Sequence, residues 1–198
     1  MNYTESTQNP INLFRVKLAQ LGEISDIAWN AFAARMSVLE LGKDEVLTAQ
    51  GNVEDNIYFI VKGAVRVYVD HKDKDICTNF RFDNQFTSSI TSFLTREPSQ
   101  YWLRTQVPSK FLVFGHEDLM WLYENYVEIN TLGRVVMETL LIDKRQRELD
   151  FLTLSAEERY VKLTNEHPQY IQQIALKYLA SFLGITPESL SRIRAKRG

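Results

Sequence analysis

The sequence has a single cysteine, Cys77, among its 198 residues. One thiol excludes a disulfide within the chain, and it cannot supply the ligands of a cysteine-bound iron–sulfur cluster. No stretch approaches the ~20 apolar residues that a membrane-spanning helix needs, and the N-terminus begins with polar residues instead of a secretory apolar run. These absences predict a cytoplasmic protein that has no membrane partner.

Recognisable catalytic patterns are missing as well. His71, His116 and His167 lie far apart, and the sequence has no His-x-His pair, no glycine-rich phosphate loop and no nucleophile elbow. Asp and Glu are abundant, yet they form no recognisable catalytic pair. We therefore expect neither an enzyme nor a metal site nor a bound cofactor.

Charge is unevenly distributed along the chain. The net charge of the sequence is only −2. Residues 169–198, however, contain more basic than acidic side chains, so this segment is positive. The rest of the chain therefore has a more negative net charge than the whole sequence. A basic tip on an acidic body favours a polyanionic partner at the tip. The charged residues of the segment are Lys177, Arg192, Arg194, Lys196 and Arg197 against Glu188.

The periodicity of apolar residues changes twice along the chain. Residues 11–35 have helical spacing that is broken at Gly22, which predicts two short helices. From Val38 to about Val113, short β-rich runs alternate with Gly, Asn, Asp or Pro, which predicts a jelly-roll-like double sheet. Helical spacing returns from Glu117 onward. The predicted fold class is therefore α+β, with an N-terminal jelly-roll, also called a double-stranded β-helix.

A long apolar stripe follows the predicted sheets. The run from Glu117 to about Phe151 predicts a helix of roughly thirty residues, ~45 Å long, which a small sheet domain cannot cover alone. We expect it to pair with the same helix of a second copy, because pairing buries the remaining stripe. The alternative is a helix that packs only on its own chain. The predicted dimer contacts are Leu122, Tyr126, Ile129, Leu132, Val136 and Leu140.

The C-terminal segment has the spacing of a helix-turn-helix. Ser155 and Glu158 form a capping box after a break near residues 153–154. Further on, Ala180 is small enough for close helix packing, and Gly184 can adopt the left-handed conformation of a tight turn. Thr186 can cap the next helix, with Pro187 at its first position.

This last helix would turn Leu190 inward and leave a polar face outside. Glu188 and Arg192 lie one turn apart on that face, so both can reach base edges in a major groove, with Ser189 beside them. The alternative is an ordinary solvated helix with basic C-terminal residues. The residues predicted to contact phosphates are Lys177, Ser191, Arg194, Lys196 and Arg197.

This organisation resembles the Crp/Fnr superfamily of bacterial transcription regulators. Gly51 followed by residues 56–68, with Gly63 between two β-rich runs, is similar to the strand–Gly–strand signature of that family. The resemblance implies a cyclic nucleotide-binding-like β-roll with lead-in helices over residues 1–116, a dimerisation helix over 117–152 and a DNA-binding domain over 153–198. It also implies a homodimer on near-palindromic double-stranded DNA, with RNA polymerase as a further partner.

The predicted effector pocket departs from that family. Members that bind cyclic AMP hold the ribose and phosphate with a Gly-Glu pair and an Arg-Ser pair, but Ser88, Ser89, Ser99 and Gln100 stand at those positions here. The positions that would meet the purine, Ile142 and Asp143, also differ. Because the charged contacts are lost, we expect cyclic AMP binding to be weak or absent. Arg96 could replace the lost arginine, the pocket could hold an unknown small effector, or these serines could form an ordinary surface turn.

The DNA-contacting end departs as well. Pro187 replaces the first arginine of the Arg-Glu-x-x-x-Arg pattern of the family, and the sequence stops at Gly198, so we expect a reduced or absent wing. The alternative function is a sensor or adaptor with a vestigial DNA-binding head, acting through a protein partner or an unknown ligand.

Overall fold

A computed structural model of the chain describes residues 9–72 and 74–196. Arg197, one of the predicted phosphate contacts, lies outside the described residues. The described chain begins with two short helices, α1 (Pro10–Leu18) and α2 (Asp26–Ala33), as the apolar spacing predicts. Each is capped by the side chain of the preceding residue: Asn9 accepts a hydrogen bond from the backbone of Ile11, and Ser25 accepts one from Ala28.

Antiparallel strands follow and, among the described residues, form two four-stranded sheets. One sheet has the order β1-β8-β3-β6 and the other the order β2-β7-β4-β5. The predicted double sheet is thus confirmed. We call residues 37–115 the β domain. Its strands are β1 (Ser37–Leu41), β2 (Val46–Thr48), β3 (Asn56–Lys62), β4 (Ala64–His71), β5 (Lys74–Phe82), β6 (Phe86–Thr87), β7 (Trp102–Thr105) and β8 (Ser109–Gly115).

The main core lies between the first sheet and the helices that flank it. Phe14 is at its centre, with ring centroids 4.9 Å from Phe59 and 5.2 Å from Phe114. Edge-to-face and tilted ring pairs of this kind add to the stabilisation that burial of apolar surface provides. The lead-in helices are therefore part of the β domain's core. Further buried members of this cluster include Trp29, Phe32, Ile57, Phe93, Leu112, Leu119 and Leu122.

The helices after β6 differ from the prediction in two places. A short helix, α3 (Ile90–Thr95), lies within the predicted β region. The predicted long helix is two helices, α4 (His116–Asn125) and α5 (Val127–Thr153), because Tyr126 has an extended backbone with φ −135° and ψ 105°. The chain then forms α6 (Ala156–Glu166), α7 (Pro168–Gln173), α8 (Leu176–Leu183) and α9 (Pro187–Ala195). We call residues 155–196 the head.

The break at Tyr126 changes which residues are free for a partner. Leu122 on α4 and Ile129 and Leu132 on α5 are fully buried in the core of their own chain. The prediction that these three contact a second copy is therefore wrong, because the β domain and the lead-in helices cover them. Tyr126, Val136 and Leu140 are half-buried within the same chain.

Candidate nucleic-acid interface and effector pocket

Helix α9 is built as the sequence predicts. Gly184 ends α8 in the left-handed region, with φ 71°, and its N–H donates to the carbonyls of Ala180 and Ser181. The side chain of Thr186 then accepts a hydrogen bond from the backbone N–H of Ser189, and Pro187 occupies the first turn. Leu190 is completely buried against α8 and anchors the inner face of α9.

The outer face of α9 exposes the predicted base-contacting pair. Glu188 and Arg192 are both exposed, whereas Ser189 is half-buried and accepts hydrogen bonds from Thr186 Oγ1 at 3.2 Å and Arg192 Nη2 at 3.4 Å. Hydrogen bonds from its own backbone N–H and from the Thr186 hydroxyl, together with the nearby Arg192 charge, lower the pKa of Glu188. This face therefore presents an ionised acceptor next to a guanidinium donor.

The described phosphate candidates surround that pair. Ser191, Arg194 and Lys196 are exposed on or just after α9, and Lys177 is exposed on α8. The ammonium group of Lys177 also lies 4.7 Å from the centre of the Tyr178 ring. Apart from Ser189, the described candidates are thus exposed to solvent. Direct contact with a polyanion requires such exposed side chains.

The predicted effector positions divide into two groups. Ser89 and Ser99 are both buried, and their hydroxyl oxygens lie 2.7 Å apart. Ser99 Oγ also accepts a hydrogen bond from the backbone N–H of Tyr101 at 3.0 Å. Ser88 donates to the carbonyl of Asn56 at 2.8 Å, while Gln100 is exposed. The structure therefore brings Ser89 and Ser99 together and leaves Gln100 outside the pair.

The two helix positions of the predicted pocket also separate. Asp143 lines a cavity of about 1080 Å³ between the β domain, α5 and the head, as do Ser88 and Ser89. Ile142, by contrast, is 68% exposed on another side of α5. The prediction that Ile142 faces the pocket is wrong, because consecutive helical residues point about 100° apart.

Arg96 is held away from the serine pair. Its guanidinium forms an ion pair with Asp55 and donates to the carbonyl of Glu54 at 2.7 Å. Arg96 ends α3 in the left-handed region, with φ 62°. These contacts engage the guanidinium, and Arg96 does not line the cavity that Ser88 and Ser89 line.

Glu54 is a buried carboxylate for which the sequence contains no local signal. It accepts hydrogen bonds from the Thr48 hydroxyl and from the backbone N–H of Asn56 at 3.0 Å, and it lies 3.5 Å from the backbone nitrogen of Ser89. Burial raises the pKa of Glu54, and these hydrogen bonds counteract part of that effect. Glu54 thus ties the start of β3 to the loop that carries Ser89.

Residues 9–72 and 74–196 contain no group of three or more His, Cys, Asp or Glu side chains that could hold a metal ion. In the same ranges, the helices lack the combination of length and apolar character that crossing a bilayer needs.

Comparison with known families and structures agrees with this architecture. Residues 38–126 match the family model of the cyclic nucleotide-binding domain. A search of curated protein sequences gives no significant match.

Several solved structures share the fold at low sequence identity. The c-di-GMP responsive global regulator CLP of Xanthomonas campestris is 16% identical, with a TM-score of 0.68 over 87% of this chain and 91% of that one. FixK2 of Bradyrhizobium japonicum is 16% identical, with a TM-score of 0.70 over 81% and 83% of the two chains. The catabolite activator protein of Thermus thermophilus is 15% identical, with a TM-score of 0.56 over 95% of this chain and 86% of that one.

These relatives are Crp/Fnr family regulators, and they match the helical C-terminal part as well as the sheets. The resemblance that the sequence indicates is therefore confirmed. Residues 38–126 match the cyclic nucleotide-binding domain model, and the chain shares the fold of these regulators.

Proposed function

We propose that this protein is a dimeric transcription regulator that reads a near-palindromic operator in double-stranded DNA. The observation that carries the proposal is the outer face of α9, where Glu188 and Arg192 stand one turn apart on a solvent-exposed surface. Arginine can donate two hydrogen bonds to guanine, and a carboxylate can accept one from cytosine, each pair discriminating by about 1–3 kcal/mol. RNA polymerase is the further partner that such a regulator would contact.

The proposed dimer contacts lie on a different face of α5 from the buried residues Ile129 and Leu132. Val135, Ile142 and Leu149 recur every seven residues, and Leu152 follows three positions later. The seven-residue repeat is that of one seam position of a two-stranded coiled coil, and Leu152 falls at the other seam position, where residues 138 and 145 are Glu and Arg. Ile142, Leu149 and Leu152 are 68%, 51% and 85% exposed in the single chain. An isologous pairing along this face would bury these side chains and present two heads related by a two-fold axis.

The proposal includes an effector pocket that does not hold cyclic AMP tightly. A cyclic phosphate carries a negative charge, and the position expected to neutralise it carries Ser99. The hydroxyl of Ser99 hydrogen-bonds to that of Ser89, which stands where the resemblance places the ribose-binding glutamate. The cavity beside them leaves room for an effector of different chemistry.

Selection from a pool of random duplex DNA tests the proposal. Enrichment of an inverted repeat, with half-site centres about one helical turn (~34 Å) apart, would support a dimeric regulator. The matched control is the same selection with Arg192→Ala, which should lose the preference at one position of each half-site. If the full chain enriches no sequence at low salt, the proposal fails.

The second candidate function is an adaptor or sensor that acts through a protein partner. Pro187 favours it, because this residue occupies a position where the family has an arginine. A chain that forms a dimer but selects no DNA would support this second function.

A further inference from the structure

Strand β5 is the edge strand of the second sheet of the β domain, and helix α8 of the head covers this edge. The backbone N–H of Cys77 on β5 donates to Ser181 Oγ at 2.9 Å, and that hydroxyl donates to the carbonyl of Asp75 at 3.1 Å. Edge strands carry backbone groups that lack a neighbouring strand. Ser181 therefore satisfies two of them at once, and it belongs to the helix that precedes the turn into α9.

A buried arginine holds the same helix from the neighbouring strand. Arg66 on β4 is 2% exposed, and its guanidinium lies between the rings of Tyr68, at 3.7 Å, and Tyr178 of α8, at 3.8 Å. Its Nη2 is 3.0 Å from the Asp75 carboxylate. Within the described residues, Nε and Nη1 have no hydrogen-bond partner. The aromatic faces thus provide the remaining stabilisation of a desolvated cation.

The C-terminal end of α8 is held by α5 and α6. Arg147 donates to the carbonyl of Phe182 at 2.9 Å, and its guanidinium lies 3.7 Å from the Phe182 ring. Arg159 donates to the carbonyl of Leu183 at 3.0 Å. The last carbonyls of a helix have no partner within the helix. Here two arginines from other helices bind them immediately before Gly184 begins the turn.

Apolar packing fills the space between these polar contacts. The ring of Phe182 lies 5.4 Å from that of Phe80 on β5. Cys77 and Phe80 belong to one buried cluster with Leu179 and Leu183 of the head. The head and the β domain of one chain therefore share a continuous core along β5.

We propose that Arg66, Tyr178, Ser181 and Arg147 form a latch that fixes the head on the β domain of its own chain and so sets the direction in which α9 faces. The latch acts on α8, which one short turn connects to α9. Small shifts of β4 or β5 would therefore change the orientation of the outer face of α9. Its effect on DNA binding rests on the proposed function, whereas its effect on the head does not. In a dimer, two latched heads would have a fixed separation.

Cys77 is a native reporter of the latch. Its side chain is 2% exposed, and burial raises the pKa of the thiol to about 12. The thiol should therefore react with an aromatic disulfide reagent only when α8 leaves β5. The rate of this reaction at fixed pH measures the population of the released head, without DNA and without any introduced probe.

The experiment compares three latch variants with one control. Tyr178→Leu removes the aromatic face but keeps apolar bulk, Ser181→Ala removes the bonds to β5, and Arg147→Gln removes the cation at the end of α8. Arg134→Gln is the control, because Arg134 is an exposed arginine of α5 that pairs with Glu138 on the same helix. Circular dichroism of each variant shows whether the helices and sheets remain folded.

We expect each folded latch variant to raise the Cys77 reaction rate at least about tenfold, the factor that corresponds to 1.4 kcal/mol, and the control to leave it unchanged. Ser181→Ala is the smallest change and keeps the test possible if the larger ones do not fold. Rates equal to that of the unsubstituted protein in the folded variants would overturn the latch.

A DNA measurement then separates the latch from the proposed function. On a duplex with two half-sites, the variants should bind at least about tenfold more weakly, because released heads lose their fixed separation. On a single half-site, their affinity should change by less than about threefold, because α9 is intact. Equal losses on both duplexes would contradict a role in orientation. If no DNA binds at all, the proposed function fails, and the thiol rates alone decide the latch.

Discussion

Ser99 and Ser89 share a hydrogen bond of 2.7 Å between their hydroxyl oxygens, and both side chains are buried. They occupy the positions at which cyclic AMP-binding relatives of the resembled family carry charged groups. A neutral pair that is already hydrogen-bonded gains nothing by approaching an anion. These two positions therefore supply hydroxyl groups and no positive charge, whereas charge-assisted recognition of a cyclic phosphate uses a cation.

Cyclic AMP should bind weakly or not at all. Loss of a charge-assisted contact to the phosphate costs on the order of 1.5–3 kcal/mol, so the affinity should fall at least tenfold relative to a pocket with that arginine. Isothermal titration of the full chain with cyclic AMP checks this expectation. A dissociation constant in the micromolar range or below would contradict it.

Glu54 should make stability depend on pH in a defined direction. Because burial raises its pKa in the folded protein, this state binds a proton more readily than the unfolded chain, in which glutamate titrates near pH 4.3. The stabilisation is complete below that pH and is lost as the pH rises through the folded-state pKa. Urea unfolding at stepped pH should show this decline, and Glu54→Gln should flatten it.

Two features of Glu54→Gln make the comparison informative. The substitution preserves the size of the side chain and removes its titration. A variant that keeps the full decline between the pKa values of the unfolded and folded states would assign the dependence to another group.

Gly63 should tolerate alanine less well than Gly51. Both have positive φ, 128° and 92°, but an added Cβ at Gly63 would lie 2.1 Å from Ser109 Oγ, whereas at Gly51 it would have open space. Backbone strain alone costs on the order of 1–3 kcal/mol, so Gly51→Ala should lose about that much and Gly63→Ala clearly more. Urea unfolding at one pH compares them. Equal losses would contradict a close contact with Ser109.

The sequence predicts the sheets and the C-terminal helices because their signals are local. Gly184, Thr186 and Pro187 specify the turn and the start of α9 through their own backbone preferences. The break at Tyr126 has no such signal, since the apolar spacing continues through it. Helix α3 is also missed, because it has six residues and no side-chain hydrogen bond at its N-cap.

The contacts around the head are missed for a different reason. Arg66 lies in a strand, where a charged residue usually marks the solvent-facing side. Its partner Tyr178 is far along the chain, so no local spacing connects the two. The burial of Glu54 also has no local signal, because it depends on contacts with Thr48 and with the loop that carries Ser89. Such sites are defined by tertiary packing, which a single sequence does not encode in any short pattern.

Arg192 and Lys196 should affect DNA binding in different ways. Arg192→Ala should remove the preference for one base in each half-site, because a base-edge contact is lost. Lys196→Ala should weaken binding to all sequences alike and reduce the dependence of affinity on salt, because a phosphate contact is lost. Affinities for a panel of single-base variants at two salt concentrations distinguish these effects. The same loss on every duplex from both substitutions would contradict the division of roles.

Ile142→Glu should dissociate the proposed dimer. Ile142 lies in the middle of the exposed stripe of α5, so in a two-fold pairing along that stripe the two introduced carboxylates would face each other in an apolar interface. Ile27→Glu is the matched control, because Ile27 is 75% exposed on α2, far from α5 in sequence and outside the stripe. Sedimentation velocity should give a dimer for the unsubstituted protein and for Ile27→Glu, and a monomer for Ile142→Glu. Leu122→Ala should instead lower the free energy of unfolding, because Leu122 is buried in its own chain. A dimer that survives Ile142→Glu would place the contact between copies on a different surface.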